Sequence, residues 1–201
     1  MAAFPLSHQP MQASGLFASD LGCRRGDRLL FADLGLALGA GEALHLVGPN
    51  GVGKTSLVMI LAGLMRPWRG SVQWSGSVGL LDHRPALDPH LPLGKALAFW
   101  TALDGHGPPL ERLGLADLLD VPVRYLSTGQ KKRAALARLI GQAADHWLLD
   151  EPLNGLDSEG VSLVEALVAE RRAGGGIVVV ASHQPIDMPG ARMLDLREYP
   201  A

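Results

Sequence analysis

Gly48, Pro49, Asn50, Gly51, Val52, Gly53, Lys54 and Thr55 stand in the order G-x-x-x-x-G-K-[ST], after an apolar run at 43–47 and before Leu57, Ile60, Leu61 and Leu64 at helical spacing. That context is what phosphate chemistry needs. Backbone N–H groups of a glycine-rich turn and the positive end of the helix it opens surround phosphate oxygens, and Lys54 adds a point charge beside them. The Thr55 hydroxyl, followed by Ser56, is placed to ligate a phosphate-bound Mg²⁺. A second chemical element lies at 146–151, where His146, Trp147, Leu148 and Leu149 end in the adjacent carboxylates Asp150 and Glu151. A nucleotide site that hydrolyses needs an acidic group for the metal and one to position water. Asp150 is the metal-side candidate and Glu151 the candidate base.

These two elements describe a P-loop nucleotide hydrolase, and a third narrows the class. Leu126, Ser127, Thr128, Gly129 and Gln130 resemble the signature of the ATP-binding cassette (ABC) ATPases, commonly Leu-Ser-Gly-Gly-Gln, with Thr128 in place of the first glycine. Read by its residue types alone, Ser127 is equally a helix N-cap. The resemblance implies that Ser127, Gly129 and Gln130 face the γ-phosphate of an ATP held by the opposite subunit. It also places Asp157, in Asn154-Gly155-Leu156-Asp157, in a loop that communicates across a dimer. His183, after the strand-like 177–181, falls where the family has its switch histidine, which donates to the γ-phosphate and keeps Glu151 and water in order; without the resemblance it reads as a structural histidine. Two positions depart from the pattern. His83 stands where the family carries a glutamine that senses Mg²⁺ and γ-phosphate, and Arg25, in Cys23-Arg24-Arg25-Gly26, stands where an aromatic stacks on adenine. A guanidinium plane can stack on a base, and a solvated arginine fits the same position.

The likeness extends over about residues 16–198 and is nearest to the ATP-binding subunits of the cytochrome c maturation (haem exporter) type. Its carriers include Leu30-Phe31, Gly70-Ser71-Val72-Gln73-Trp74, His83, Leu97-Ala98-Phe99-Trp100, Tyr125-Leu126-Ser127, Trp147 through Pro152 and Ser182-His183-Gln184. It implies an ATPase using ATP and Mg²⁺, a homodimer, and docking on integral membrane permease subunits at the cytoplasmic face of the inner membrane, peripherally and without nucleic acid. Haem export and release of a haem-loaded chaperone both fit, because the substrate path lies in another polypeptide. The rival readings are a soluble ABC-type ATPase without a transport role, the ATPase of another small ABC importer or exporter, and a module that binds nucleotide without turnover; Glu151 and His183 disfavour the last.

The elements that must position these residues follow from composition and periodicity. A chain of 201 residues, 47% apolar and 19% charged, is long enough to bury a core and too apolar for disorder. A net charge of −2 gives no global basic field for nucleic acid, and the cluster Arg124, Lys131, Lys132, Arg133 and Arg138 reads as the solvated, phosphate-facing start of a helix. The single cysteine, Cys23, forms no internal disulfide, suits a reducing compartment and reads as a small inert residue. The apolar runs 57–65 and 96–103 fall short of the roughly 18 to 20 residues of a membrane-spanning helix. Residues 1–14 lack a secretory pattern and read as a frayed tail, with Met11 as an alternative start.

Strand patterns at 15–21, 28–31 and 34–38 suit a small antiparallel sheet, 43–47 is a further strand, and the helix after the glycine-rich loop is expected to stop at Pro67. Strands follow at 71–74 and 77–81, then helices at 95–103, 110–119 and 129–144, which together make an inserted helical subdomain over about 82–143. A strand at 146–149, an amphipathic helix at 158–172 with Val161, Val164, Leu167 and Val168 on one face and glycines at its end, a β-branched strand at 177–181 and a weaker one at 193–197 complete the pattern. The expectation is a single α/β domain over 15–201 with a largely parallel sheet: an ABC-type P-loop fold with its small antiparallel β subdomain and helical insert.

Overall fold

The computed structural model describes residues 15–200; the tail read at 1–14 and the alternative start at Met11 lie outside the described residues. Two sheets form. β1 (Gly15–Arg25), β2 (Arg28–Gly39) and β4 (Arg69–Trp74) make an antiparallel sheet in the order β2-β1-β4. β3 (Ala43–Val47), β5 (Val78–Leu81), β6 (His146–Asp150), β7 (Val178–Ala181) and β8 (Arg192–Asp195) make a parallel sheet in the order β5-β6-β7-β3-β8. β6 and β7 are buried at every position, as strands covered on both faces must be, and so they read in sequence as unbroken apolar runs.

The period of two along these strands divides the core. Leu44, Leu46, Leu148, Val179 and Ala181 face α1 (Lys54–Leu61) and the antiparallel sheet. Trp147, Leu149, Val178 and Val180 face the opposite way, into a cluster with residues of α2 (Leu93–Asp104), α3 (Thr128–Gly141) and α4 (Ser158–Ala173). The phosphate-loop helix and the signature helix thus sit on opposite faces of one sheet, and the loops that join them to it meet at its C-terminal edge, where open α/β sheets bind ligands. His146, fully buried, fastens the two sheets together. Its Nε2 bonds the Ser75 carbonyl at 2.7 Å, its Nδ1 accepts the Ile177 N–H at 3.1 Å, and Trp74 stacks on the ring.

Several expectations need correction. The separate strands read at 28–31 and 34–38 are one strand, β2, carrying a bulge in which Asp33 takes a φ of 53°. The first helix ends at Leu61, and the turn with Gly63 at φ 71° ends it before Pro67 is reached. The stretch 110–119 is not an α-helix. Its apolar residues Leu113 and Leu115 are buried in a turn with Gly114 at φ 61°, followed by a 3₁₀ turn at Ala116–Leu118, so the periodicity there records burial of a folded loop. In α4, Gly160 occupies the buried face with Val164, Leu167 and Val168, and Val161 lies at its margin.

Candidate functional site

The glycine-rich loop leaves β3 and enters α1 through Gly53, whose φ of 119° and 3.2 Å clearance between a hypothetical Cβ and the Phe31 ring admit no side chain. Lys54 is buried, and its ammonium donates to the carbonyls of Gly48 at 2.7 Å and Pro49 at 3.3 Å, spanning the loop. The Val52 N–H closes an inner turn on the Pro49 carbonyl. α1 has no side-chain cap, so its first amides keep their hydrogen-bonding capacity at the positive end of the helix.

Thr55, His83, Asp150, Glu151, Thr128 and Lys132 line one cavity of about 420 Å³. Thr55 and Asp150 lie side by side on this wall, and Asp150 Oδ1 is fully buried with no hydrogen-bond partner. Burial raises the Asp150 pKa above the ordinary carboxylate value, with Glu151 and Asp82 adding to it, while the Thr55 hydroxyl and His83 oppose the shift. Glu151 follows β6 with a φ of 48°, unusual for a side-chain-bearing residue. Its N–H donates to the Ala181 carbonyl at 2.8 Å, and its Oε2 lies 2.8 Å from His183 Nδ1. An ionised carboxylate only accepts, so with Glu151 ionised the His183 Nδ1 is the donor in that contact. His183 also lines a neighbouring cavity with Gly48 and Pro49, which joins the Glu151 pair to the loop entrance.

The signature segment is held differently. Ser127 caps α3: its Oγ accepts from the Gln130 N–H at 3.2 Å, and Gln130 Oε1 accepts from the Ser127 N–H at 2.8 Å. Gly129 is required because a Cβ there would stand 2.9 Å from the Gly155 carbonyl, and Gly155, at φ 80°, would clash with Thr128 Cγ2 at 2.6 Å. The first turn of α3 therefore packs directly on the loop before Asp157, and Asp157 caps α4 through the Gly160 N–H at 2.8 Å. Arg25 lies exposed on the β1–β2 hairpin, paired in register with Arg28 and in neither cavity. Cys23 is buried, which raises its pKa.

The basic cluster is only partly solvated: Arg124 is exposed, while Lys131, Lys132, Arg133 and Arg138 are half-buried. Arg124 bonds His90, Lys131 donates to the Arg124 carbonyl, and Arg138 lies over the Trp100 ring. Lys132 points into the cavity and donates to the Glu151 carbonyl at 2.9 Å. Its burial pulls the ammonium pKa down, partly offset by Asp150, Asp82 and Glu151. The sequence carried no signal for this placement, because the same residue type at a helix start is ordinarily solvated.

The model of the ABC transporter family matches residues 31–154. The cytochrome c biogenesis ATP-binding export protein CcmA of Novosphingobium aromaticivorans is 54% identical over 189 residues, covering 94% of this chain and 99% of that one. The protein of the same name from Zymomonas mobilis is 46% identical, covering 92% and 86%. The chain belongs to the ABC transporter family, within its cytochrome c biogenesis ATP-binding group. Among solved structures, an ATP-binding protein from Pyrococcus furiosus superposes with a TM-score of 0.79 at 21% identity over 94% of this chain and 100% of that one, showing the fold. The cbiO1 subunit of the Clostridium perfringens cbiONQ transporter complex superposes at 0.68 with 26% identity, over 86% and 80%. As an ABC ATP-binding chain it is an ATPase and binds ATP. Such subunits act with membrane permease components, and among the described residues no helix is long and apolar enough to cross a membrane.

The family implies Mg²⁺ with the nucleotide, and the residues present fit it. A hard, oxygen-seeking cation held partly by phosphate needs only one or two protein oxygens, and the unpartnered Asp150 Oδ1 beside the Thr55 hydroxyl supplies that set.

Proposed function

We propose that this chain is the ATP-hydrolysing subunit of a transporter serving c-type cytochrome biogenesis, working as a homodimer docked peripherally on integral permease subunits at the cytoplasmic face of the inner membrane. The observation that carries the hydrolytic role is the Glu151 carboxylate, paired with His183 and opening on the cavity that also holds Thr55 and Asp150. In this reading residues 48–56 cradle the ATP phosphates, with Lys54 exchanging its loop carbonyls for phosphate oxygens. Thr55 and Asp150 would hold Mg²⁺, which when bound would neutralise charge on the phosphates. Glu151 takes the proton of the attacking water, and His183, protonated on Nδ1 toward Glu151, fixes the carboxylate's direction. For Nε2 to donate to a γ-phosphate as well, both ring nitrogens must carry protons.

Ser127 and Gly129 of one copy face the ATP of the other, with Gln130 holding the segment's shape and Asp157 anchoring the adjoining loop to α4. His83, on the cavity wall, would contact the metal's water shell, and Arg25, exposed on the hairpin and outside both cavities, would be the residue to stack on the base. The chain is read as one ABC unit over 15–201 with a helical insert at about 82–143, supported by the packing of α2 and α3 together on one face of the sheet. The transport assignment rests on the names of the relatives. It is tested by affinity purification of the full chain from membranes. Retrieval of permease subunits encoded with cytochrome c maturation genes, and ATP hydrolysis by that complex, are expected; a catalytically active chain that never associates with membrane subunits would contradict it.

A further inference from the structure

Glu151 is held at its N–H, its carboxylate and its carbonyl. Its N–H is fixed to the Ala181 carbonyl at the end of β7, its carboxylate meets His183 just beyond that strand, and its carbonyl accepts from Lys132 Nζ at 2.9 Å, from the first turns of α3. Between the two backbone bonds the residue holds a φ of 48°, a conformation that side-chain-bearing residues keep only where neighbours over-determine it. The Asn154 N–H also reaches the Glu151 carbonyl, at 3.5 Å, and of these four tethers only Lys132 comes from the signature helix. The same helix start is wedged on the 154–156 loop, where Gly129 and Thr128 approach the Gly155 backbone too closely for any added Cβ. A shift of α3 beyond what the Lys132 stem can absorb therefore either moves the Glu151 peptide or breaks the Lys132 bond.

We propose that Lys132 is a positioning residue for hydrolysis: by tethering the Glu151 peptide to the signature helix of the same subunit, it aims the Glu151 carboxylate and makes its alignment depend on where that helix stands. The inference rests on reading Glu151 as the base. A long unbranched stem ending in a compact donor suits the reach from α3 across the cavity to the β6 edge, and a guanidinium on a stem of similar reach can supply the same bond.

The test is steady-state phosphate release by the full chain in its membrane complex, comparing wild type, Lys132→Met, Lys132→Ala and Lys132→Arg, with binding of a fluorescent ATP analogue and thermal melting followed in parallel. Lys132→Met and Lys132→Ala are expected to lower kcat about tenfold or more while KM for ATP and analogue affinity stay within about twofold. Lys132→Arg is expected to recover about half or more of the wild-type kcat, because it restores the donor. Wild-type kcat in both neutral variants would overturn the proposal. So would a fall in kcat matched by equal losses of ATP affinity and thermal stability, which marks a merely structural lysine. A failure of the underlying reading looks different: wild-type complex without hydrolysis, or Glu151→Gln with undiminished hydrolysis.

Discussion

The glycine-rich loop and the signature segment each open a helix, and they treat the exposed helix end in opposite ways. α1 begins at Gly53 with no capping side chain, whereas α3 begins at Ser127 inside a closed capping box with Gln130. An uncapped end keeps unpaired N–H groups at the positive pole of the helix, which is a standing demand for an anion. A capped end is stable alone, and the Ser127 hydroxyl, having accepted from Gln130, still has its own hydrogen to donate. The two lysines differ in the same sense. Lys54 bonds carbonyls of its own loop, which a phosphate can replace, while Lys132 bonds the carbonyl of a residue on another element, which fixes geometry. On this account the first region binds phosphate and the second aligns and completes a site.

The contrast is broken most forcefully at Lys54. Lys54→Ala should reduce both ATP affinity and phosphate release by about 100-fold or more, since a point charge beside the phosphates is lost from both ground and transition states; retention of full ATP affinity in an equilibrium binding assay would show that the loop does not depend on it. Ser127→Ala should behave in the complementary way. Phosphate release by the assembled complex falls about tenfold. ATP binding by the isolated chain is unchanged, and loss of the cap costs about 1 kcal/mol in thermal or urea unfolding.

The smallest effect on stability concerns Asp150, and its sign is the reverse. Burial holds its pKa above the ordinary carboxylate value, so the folded chain favours the protonated form. The stability this gives is complete below the unfolded carboxylate pKa of about 3.9 and is lost as pH rises through the raised folded value. At neutral pH the ionised group weakens the metal-free fold. Asp150→Asn should therefore raise the melting temperature measured without Mg²⁺ at pH 7 while abolishing turnover, and the gain should shrink as the melt is repeated toward pH 4; a lower melting temperature at pH 7 would contradict the burial argument.

What could be read from the sequence was what local partners determine. Lys54 finds its acceptors on Gly48 and Pro49 of its own loop, and β6 and β7, covered on both faces, announce themselves as apolar runs. The ends of those strands then place Asp150, Glu151 and His183 on one sheet edge without further information. Where the partner is distant the residue type misleads. Lys132 looked like a solvated lysine because nothing near it in sequence reveals that the Glu151 carbonyl lies opposite. Leu113 and Leu115 looked helical because burial in an irregular loop produces the same apolar spacing as a helix face. Arg25, for which stacking and solvation were both open in the sequence, stands on an exposed hairpin whose following strand, through Leu30 and Phe31, lies against the loop at Gly53.

The central claim is that Glu151 acts as the base in a site that binds ATP without it. Single-turnover phosphate release from Glu151→Gln in the membrane complex, with bound ATP measured on the same sample, tests this most directly. Near-wild-type ATP binding is expected, with phosphate release slowed by about 100-fold or more. Release at the wild-type rate would contradict it.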